Sequence, residues 1–209
     1  MIKNIFFDLD GTLLPMDQDD FLKVYFGELA KKVAPLGYEM KALVDGIWKG
    51  TAAMVKNDGH RPNEKAFWDS FSEIFGQKVY DDVSVFDDFY SNEFTKAKSV
   101  CGFDPAAAST VMTLKNRGYR LVLATNPIFP RVATENRIQW AGLTLEDFEY
   151  TTTYENSSYC KPNPKYYQEI LAKLDMNAEE TLMVGNDVRE DMVAESLGMK
   201  WIWGFAQIR

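Results

Sequence analysis

The chain has 209 residues, a formal charge of −8, 46% apolar and 14% aromatic side chains, which is enough to bury a sizeable core and excludes a largely disordered polymer. With no block of consecutive lysine or arginine, the acidic balance argues against nucleic acid or an anionic membrane as partner and favours small-molecule chemistry. Cys101 and Cys160 stand far apart, outside any CxxC or Cys/His cluster, and Asp8 arrives too early for a signal-peptide core, so the reading is a cytoplasmic protein with reduced thiols, no zinc site and no bilayer span.

Ile2 to Phe7 is a short, nearly continuous apolar run, as in a strand covered on both faces, and Asp10-Gly11-Thr12 ends it with turn chemistry. Strand one thereby delivers Asp8 to its carboxyl end. From about Asp17 to Phe94 the spacing is helical, with Phe21, Val24, Tyr25 and Leu29 on one face and Phe67, Phe71, Ile74 and Phe75 on another. Breaks are predicted at Pro35-Leu36-Gly37, Lys49-Gly50-Thr51 and Asn57 to Pro62, for about four helices.

After Cys101 strands and helices alternate. A helix over Pro105 to Arg117 stops at Gly118 and is followed by the strand Arg120 to Ala124, a helix from Arg131 to Trp140 and a weaker strand near Glu149 to Thr153. A helix from Pro164 to Leu174, the strand Thr181 to Val184 and a last helix around Arg189 to Leu197 precede Lys200 to Trp203. This alternation predicts an α/β fold with a doubly wound parallel sheet, a Rossmann-like core, and sites at the carboxyl ends of the strands. The all-helical part inserted after the first strand reads as a cap, which divides the chain into a core of residues 1–15 and 95–209 and a cap of 16–94.

Two acidic side chains, Asp8 and Asp10, fall where an apolar strand gives out into a turn. Asp before Gly can simply make a turn. The chemical alternative is that one carboxylate attacks phosphorus and holds a metal while the other delivers a proton, with Gly11 letting the backbone turn tightly round a bound phosphate.

Asp8-Leu9-Asp10-Gly11-Thr12-Leu13 closely resembles the first motif, D-x-D-G-[TV]-L, of the haloacid dehalogenase superfamily of phosphohydrolases. Thr125 after Leu121-Val122-Leu123-Ala124 resembles its second motif, Lys161 before Pro162 its third, and Gly185-Asn186-Asp187 through Asp191 its acidic fourth, all in the expected order. The resemblance implies a Mg²⁺-dependent phosphohydrolase of small phosphorylated metabolites, with Asp8 as nucleophile, Asp10 as general acid and base, and Thr125 and Lys161 completing the catalytic set.

By itself Thr125 reads as readily as a helix cap, Asn126 as a turn residue and Lys161 as a solvated loop lysine. In the company of the other motifs, Gly11, Thr125, Asn126 and Lys161 become the expected phosphate contacts, and Lys161 is expected to keep Asp8 ionised. Asp187 offers the oxygen donor a hard cation wants, so Mg²⁺ is expected between Asp8 and Asp187, and the resemblance implies the main-chain carbonyl of Asp10 as a further ligand. Family members often carry an acid directly after the glycine, whereas Asn186 stands here; it and Asp191, one turn on and suited to orient Lys161, are expected to support the site from behind.

A phosphomutase shares every motif and remains an alternative, as does a non-catalytic binding protein on the same fold. Dehalogenation has no use for a metal, and Asp10 and Asp187 speak against it. In the cap, Lys49, Lys56, Asn57 and Arg61 are candidates to meet a polar substrate, though charge on a turn is commonly only solvated surface. His60 reads as an exposed loop residue, and Trp48 and Trp68 as cap core with a smaller chance of lining the pocket. Trp201, Trp203 and Phe205 form a conceivable dimer patch, and the oligomeric state is open.

Overall fold

The computed structural model describes residues 1–204. It contains a parallel five-stranded sheet built from β1 (Asn4–Phe7), β2 (Arg120–Leu123), β3 (Tyr150–Thr151), β4 (Thr181–Gly185) and β5 (Lys200–Trp203), in the order β3-β2-β1-β4-β5. The chain lays down β1, β2 and β3 towards one edge and then returns for β4 and β5, so the order reverses between β1 and β4. A crevice opens at the carboxyl ends on either side of such a switch point.

The register explains what meets there. Phe7 is level with Leu123 and Val184, and Asp8 continues the ladder by donating its N–H to Val184 O at 2.9 Å. Residues just past the paired ends, Asp8, Thr125 and Asn186-Asp187, therefore emerge side by side. Side chains alternate across the sheet as strand geometry requires: Ile5, Phe7, Leu121 and Leu123 join one buried cluster, while Phe6, Val122, Ala124 and Met183 pack with Tyr166, Tyr167 and Ile170 on the other face.

Between β1 and β2 the chain forms α1 (Gln18–Val33), α2 (Met40–Val55), α3 (Asn63–Phe75), α4 (Val79–Ser91) and a 3₁₀ helix over Glu93–Val100. The N-cap of α1 is Asp17, whose carboxylate accepts the Asp20 N–H at 3.0 Å, a contact worth about 1 kcal/mol. The insertion leaves and rejoins the sheet layer at one place, where Met16 pairs with Cys101 and Gly102 donates to Pro15 O at 2.7 Å. Its apolar residues Phe21, Leu43 and Phe71 belong to the same buried cluster as Ile5 and Leu123.

After the insertion come α5 (Pro105–Asn116) and α6 (Arg131–Trp140) around β2, and α7 (Pro164–Lys173) before β4. Two local expectations are corrected. Lys49-Gly50-Thr51 does not break a helix: α2 runs through it because Gly50 lies against the Phe67 ring, where a Cβ would come within 2.5 Å, and Gly46 lies similarly against Phe75. The fourth helix arises instead from a stop at Gly76, which adopts φ +79°. The segment Arg189 to Leu197 is helical only as the 3₁₀ helix Met192–Leu197, because Asp191 is tied into the site described next.

Candidate active site

A strand end followed by Asp-Leu-Asp-Gly-Thr makes a tight loop. Leu9 O accepts the N–H groups of Leu13 and Leu14, both at 2.9 Å, and Gly11 donates to Leu14 O at 2.8 Å. Gly11 sits at φ +82°, and a Cβ there would meet Asn186 Nδ2 at 2.1 Å, so both conformation and space require glycine. Within this loop Thr12 Oγ1 lies 3.2 Å from Asp8 Oδ2 and 3.3 Å from Asn186 Oδ1, joining the end of β1 to the loop after β4.

Lys161, only 1% exposed, occupies the centre. Its ammonium donates to Asp8 Oδ1 at 2.8 Å and to Asp191 Oδ1 at 2.7 Å. Asp191 in turn accepts the Asp187 N–H on Oδ2 at 3.1 Å, and Tyr167 from α7 approaches its Oδ1 at 3.4 Å. Gly185 makes this possible, since a Cβ on it would collide with the Asp191 carboxylate at 2.1 Å.

Burial opposes the charge on Lys161, but its carboxylate partners outweigh that and hold the ammonium well above the ordinary lysine range. Asp8 shows the reverse balance. Burial, helped by Asp191 and Asp10, pushes it up from 3.8 to about 7 against the pull of Lys161. Lys161 thus pulls Asp8 towards its ionised form while desolvation of this pocket works against it.

Asp10 has a partner that sequence reasoning missed. Arg137 on α6, 1% exposed, donates from Nη1 to Asp10 Oδ2; its guanidinium also reaches Ala133 O and Thr134 Oγ1 and lies over the Phe129 ring at 4.6 Å. The other oxygen, Asp10 Oδ1, is buried without a hydrogen-bond partner among the described residues. The available signal was Arg137 itself, four residues after Ala133 and next to Ile138, on the inward side of a short helix.

The remaining expected residues sit on the same rim. Thr125 is buried, and its carbonyl accepts from Thr152 Oγ1 at 2.7 Å and Tyr166 Oη at 2.8 Å, which fixes the end of β2. Asn126 spends its amide on protein groups: Nδ2 donates to both carboxylate oxygens of Glu190 at 3.2 Å, and Oδ1 accepts the Lys161 N–H at 3.3 Å. Asp187 Oδ1 accepts the N–H groups of Arg189 and Glu190 at 2.7 and 2.9 Å, which turns the loop.

Asp8, Asp10, Asn186 and Asp187 all line a cavity of about 270 Å³ whose other walls come from the helical insertion. The cap polar residues are elsewhere. Lys49 pairs with Glu73 and Arg61 with Asp69 on the outer surface, Lys56 is exposed, and Asn57 is buried, bonded to Arg61 O and Asn63; none of the four lines the cavity. His60 is exposed as expected. Trp68 is buried, but Trp48 is 48% exposed and so is not core; both line the cavity. Trp203 is exposed beside Trp201, and Phe205 lies outside the described residues.

Among the described residues no three His, Cys, Asp or Glu side chains gather into a ready-made metal cage. The donor set still suits Mg²⁺, which is commonly held by one or two carboxylates with water and phosphate supplying the rest. Asp8, Asp10, Asp187, Glu190 and Asp191 all reach the cavity wall, with no lysine, arginine or histidine among the lining residues. A divalent cation would offset the negative charge of so acidic a mouth.

A parallel α/β core with an acidic strand-end site is the class this fold and site define: a hydrolase of the phosphatase type. The chain belongs to the haloacid dehalogenase-like hydrolases, whose family model matches residues 2–196. It is 27% identical to the glyceraldehyde 3-phosphate phosphatase of Pyrococcus furiosus, across 97% of this chain and 80% of that protein. It is 25% identical to the pyrophosphatase PpaX of Bacillus cereus, across 95% of this chain and 81% of that protein. Among solved structures, a family enzyme of Bacteroides thetaiotaomicron, in complex with magnesium and inorganic phosphate, superposes with a TM-score of 0.58 at 20% identity, covering 100% of this chain and 97% of that one. No helix among the described residues is long and apolar enough to cross a membrane.

Proposed function

We propose that this chain hydrolyses phosphate monoesters of small metabolites through a phosphoryl-enzyme intermediate on Asp8. The observation that carries this reading is the bridge of one buried ammonium, Lys161, between Asp8 and Asp191 at the carboxyl edge of the sheet. Such a bridge fixes the nucleophile's direction and leaves a cation behind it to meet developing negative charge.

A carboxylate oxygen of Asp8 attacks phosphorus, the ester P–O bond breaks, and Asp10 gives its proton to the leaving oxygen. Water then attacks the phosphorus of the aspartyl phosphate; Asp10 takes the water's proton, the bond to Asp8 breaks, and inorganic phosphate leaves. Thr125 and Gly11, which both line the cavity, would receive phosphoryl oxygens, while Asn126 acts by holding the Lys161 and Glu190 loops together. Asp8, Asp187 and the Asp10 carbonyl would hold Mg²⁺, with Thr12 and Asn186 at hand to orient its water. When bound, the cation supplies charge neutralisation of the phosphoryl group and favours the ionised form of Asp8.

The helical segment 16–94 acts as the cap that screens this chemistry from water. We place the protein in the cytoplasm, a reading that its two free thiols suit. Phosphate release from a panel of phosphorylated metabolites, with Mg²⁺ and with EDTA, tests the proposal. Asp8→Asn abolishing turnover while the fold survives is the expected result. Retained activity in that variant removes Asp8 as nucleophile, and an isomerised sugar phosphate in place of free phosphate makes the chain a mutase.

A further inference from the structure

The cavity has two unlike halves. Its floor carries the carboxylates of the site, whereas the walls from the insertion and from the loop before α6 are apolar and aromatic: Tyr25, Phe26, Trp48, Phe67, Trp68 and Phe129 all face it. The polar groups in that half are neutral. Gln18 and Thr51 line it, and the Tyr25 and Tyr90 hydroxyls satisfy each other at 2.8 Å. The cations of the insertion are turned outward, Lys49 onto Glu73 and both Arg61 and Lys65 onto Asp69, while Arg137, buried behind the Phe129 ring, is taken up by Asp10.

Trp48 is the telling member. It projects from α2 with half its surface exposed, 5.9 Å from the Phe26 ring centroid, although the same helix buries Leu43, Ile47 and Met54 completely or nearly so. A partly wet indole lining a cavity, with a tilted ring contact to Phe26, can gain contact area from a ring or chain that enters.

We propose that the alcohol released by this enzyme is bulky, apolar and uncharged, an arylalkyl or comparable hydrophobic alcohol, and not a second anionic group such as a carboxylate or further phosphate. The inference rests on the phosphohydrolase reading and names the substrate class for that same site. A carboxylate carried into the aromatic half would lose its water with no cation among the lining residues to replace it, and would face the acidic floor. An apolar group gains by burial in the same place.

The test compares three primary-alcohol esters whose leaving groups differ little in acidity: ethyl phosphate, 2-phenylethyl phosphate and 3-phosphooxypropionate, each with Mg²⁺ and wild-type enzyme. Expected is a kcat/KM at least tenfold higher for the phenylethyl ester than for the ethyl ester, with the carboxylated ester no better than ethyl phosphate. Trp48→Ala, at a half-exposed position, should lower the phenylethyl-to-ethyl ratio at least threefold. Equal efficiency on the ethyl and phenylethyl esters, or preference for the carboxylated one, overturns the apolar-substrate inference and leaves the phosphatase reading standing. No hydrolysis of any of the three removes that reading and the inference with it.

Discussion

Arg137, almost wholly withdrawn from solvent, donates from Nη1 to Asp10 Oδ2 and so fastens α6 to the first turn after β1. A guanidinium spent on one carboxylate oxygen, while the other has no hydrogen-bond partner among the described residues, points that second oxygen in a defined direction.

Removing this clamp separates positioning from binding. Arg137→Met should lower kcat roughly 10–100-fold with KM within about twofold, since a misdirected acid costs transition-state stabilisation and leaves ground-state affinity alone. Arg137→Lys should recover part of the loss, because a cation returns to Asp10, though without the planar fork. Steady-state kinetics on all three proteins, with circular dichroism to verify folding, decide it; equal defects in Met and Lys would leave only a packing role.

Asp8 makes the site costly to fold when no metal is present. Its folded value of about 7 lies above the ordinary 3.8, so the folded chain binds more protons than the unfolded one between those values. Stability from this group therefore falls as pH rises from about 4 to about 7 and stays lost above that. Asp8→Asn removes the penalty, and Lys161 keeps Asp191 as partner. The metal-free variant should melt roughly 2–4 °C above wild type at pH 8, corresponding to about 1 kcal/mol, and level with it near pH 4. Thermal unfolding in EDTA at the two pH values reads the difference; a wild type more stable than the variant at pH 8 contradicts the burial argument.

Gly11 couples the loop after β1 to the loop after β4. Gly11→Ala places a methyl on Asn186 in a left-handed conformation, and should cost about 1–2 kcal/mol for the backbone plus the displacement of Asn186. Adding Asn186→Ala should return part of the lost Tm by removing the collision, while the backbone strain persists. A double-mutant cycle in urea measures that coupling, and strict additivity would show that the two residues do not press on each other.

What could be read in advance was whatever local chemistry determines alone. β1, β2 and β4 were legible because each is a near-continuous apolar run bounded by turn residues, and the motif residues followed from them. Two-residue β3 and the partly 3₁₀ stretch before β5 carry little pattern of their own. The helix through Gly50 was misread because its glycine answers to the Phe67 ring seventeen positions on, a tertiary reason with no local trace. Polar cap residues looked like substrate contacts only until Glu73 and Asp69 were seen to hold Lys49 and Arg61, leaving the cavity to aromatic rings. Arg137 escaped notice since nothing within α6 indicates that Asp10, 127 positions away, waits opposite it.

Asp187 gives the sharpest test of the proposed cation site, because its structural work can be retained while its charge is removed. Oδ1 accepts the N–H groups of Arg189 and Glu190, a turn that an asparagine can keep with its amide oxygen. Asp187→Asn should therefore fold normally yet need roughly 10–100-fold more Mg²⁺ for half-maximal turnover, since a carboxylate on a hard cation is exchanged for a neutral oxygen. Asp187→Ala should lose both the turn and the affinity. Mg²⁺ titrations of activity, paired with the rise in Tm that Mg²⁺ gives each protein, distinguish a ligand from a loop residue: the same half-maximal Mg²⁺ in wild type and Asp187→Asn would place the cation elsewhere.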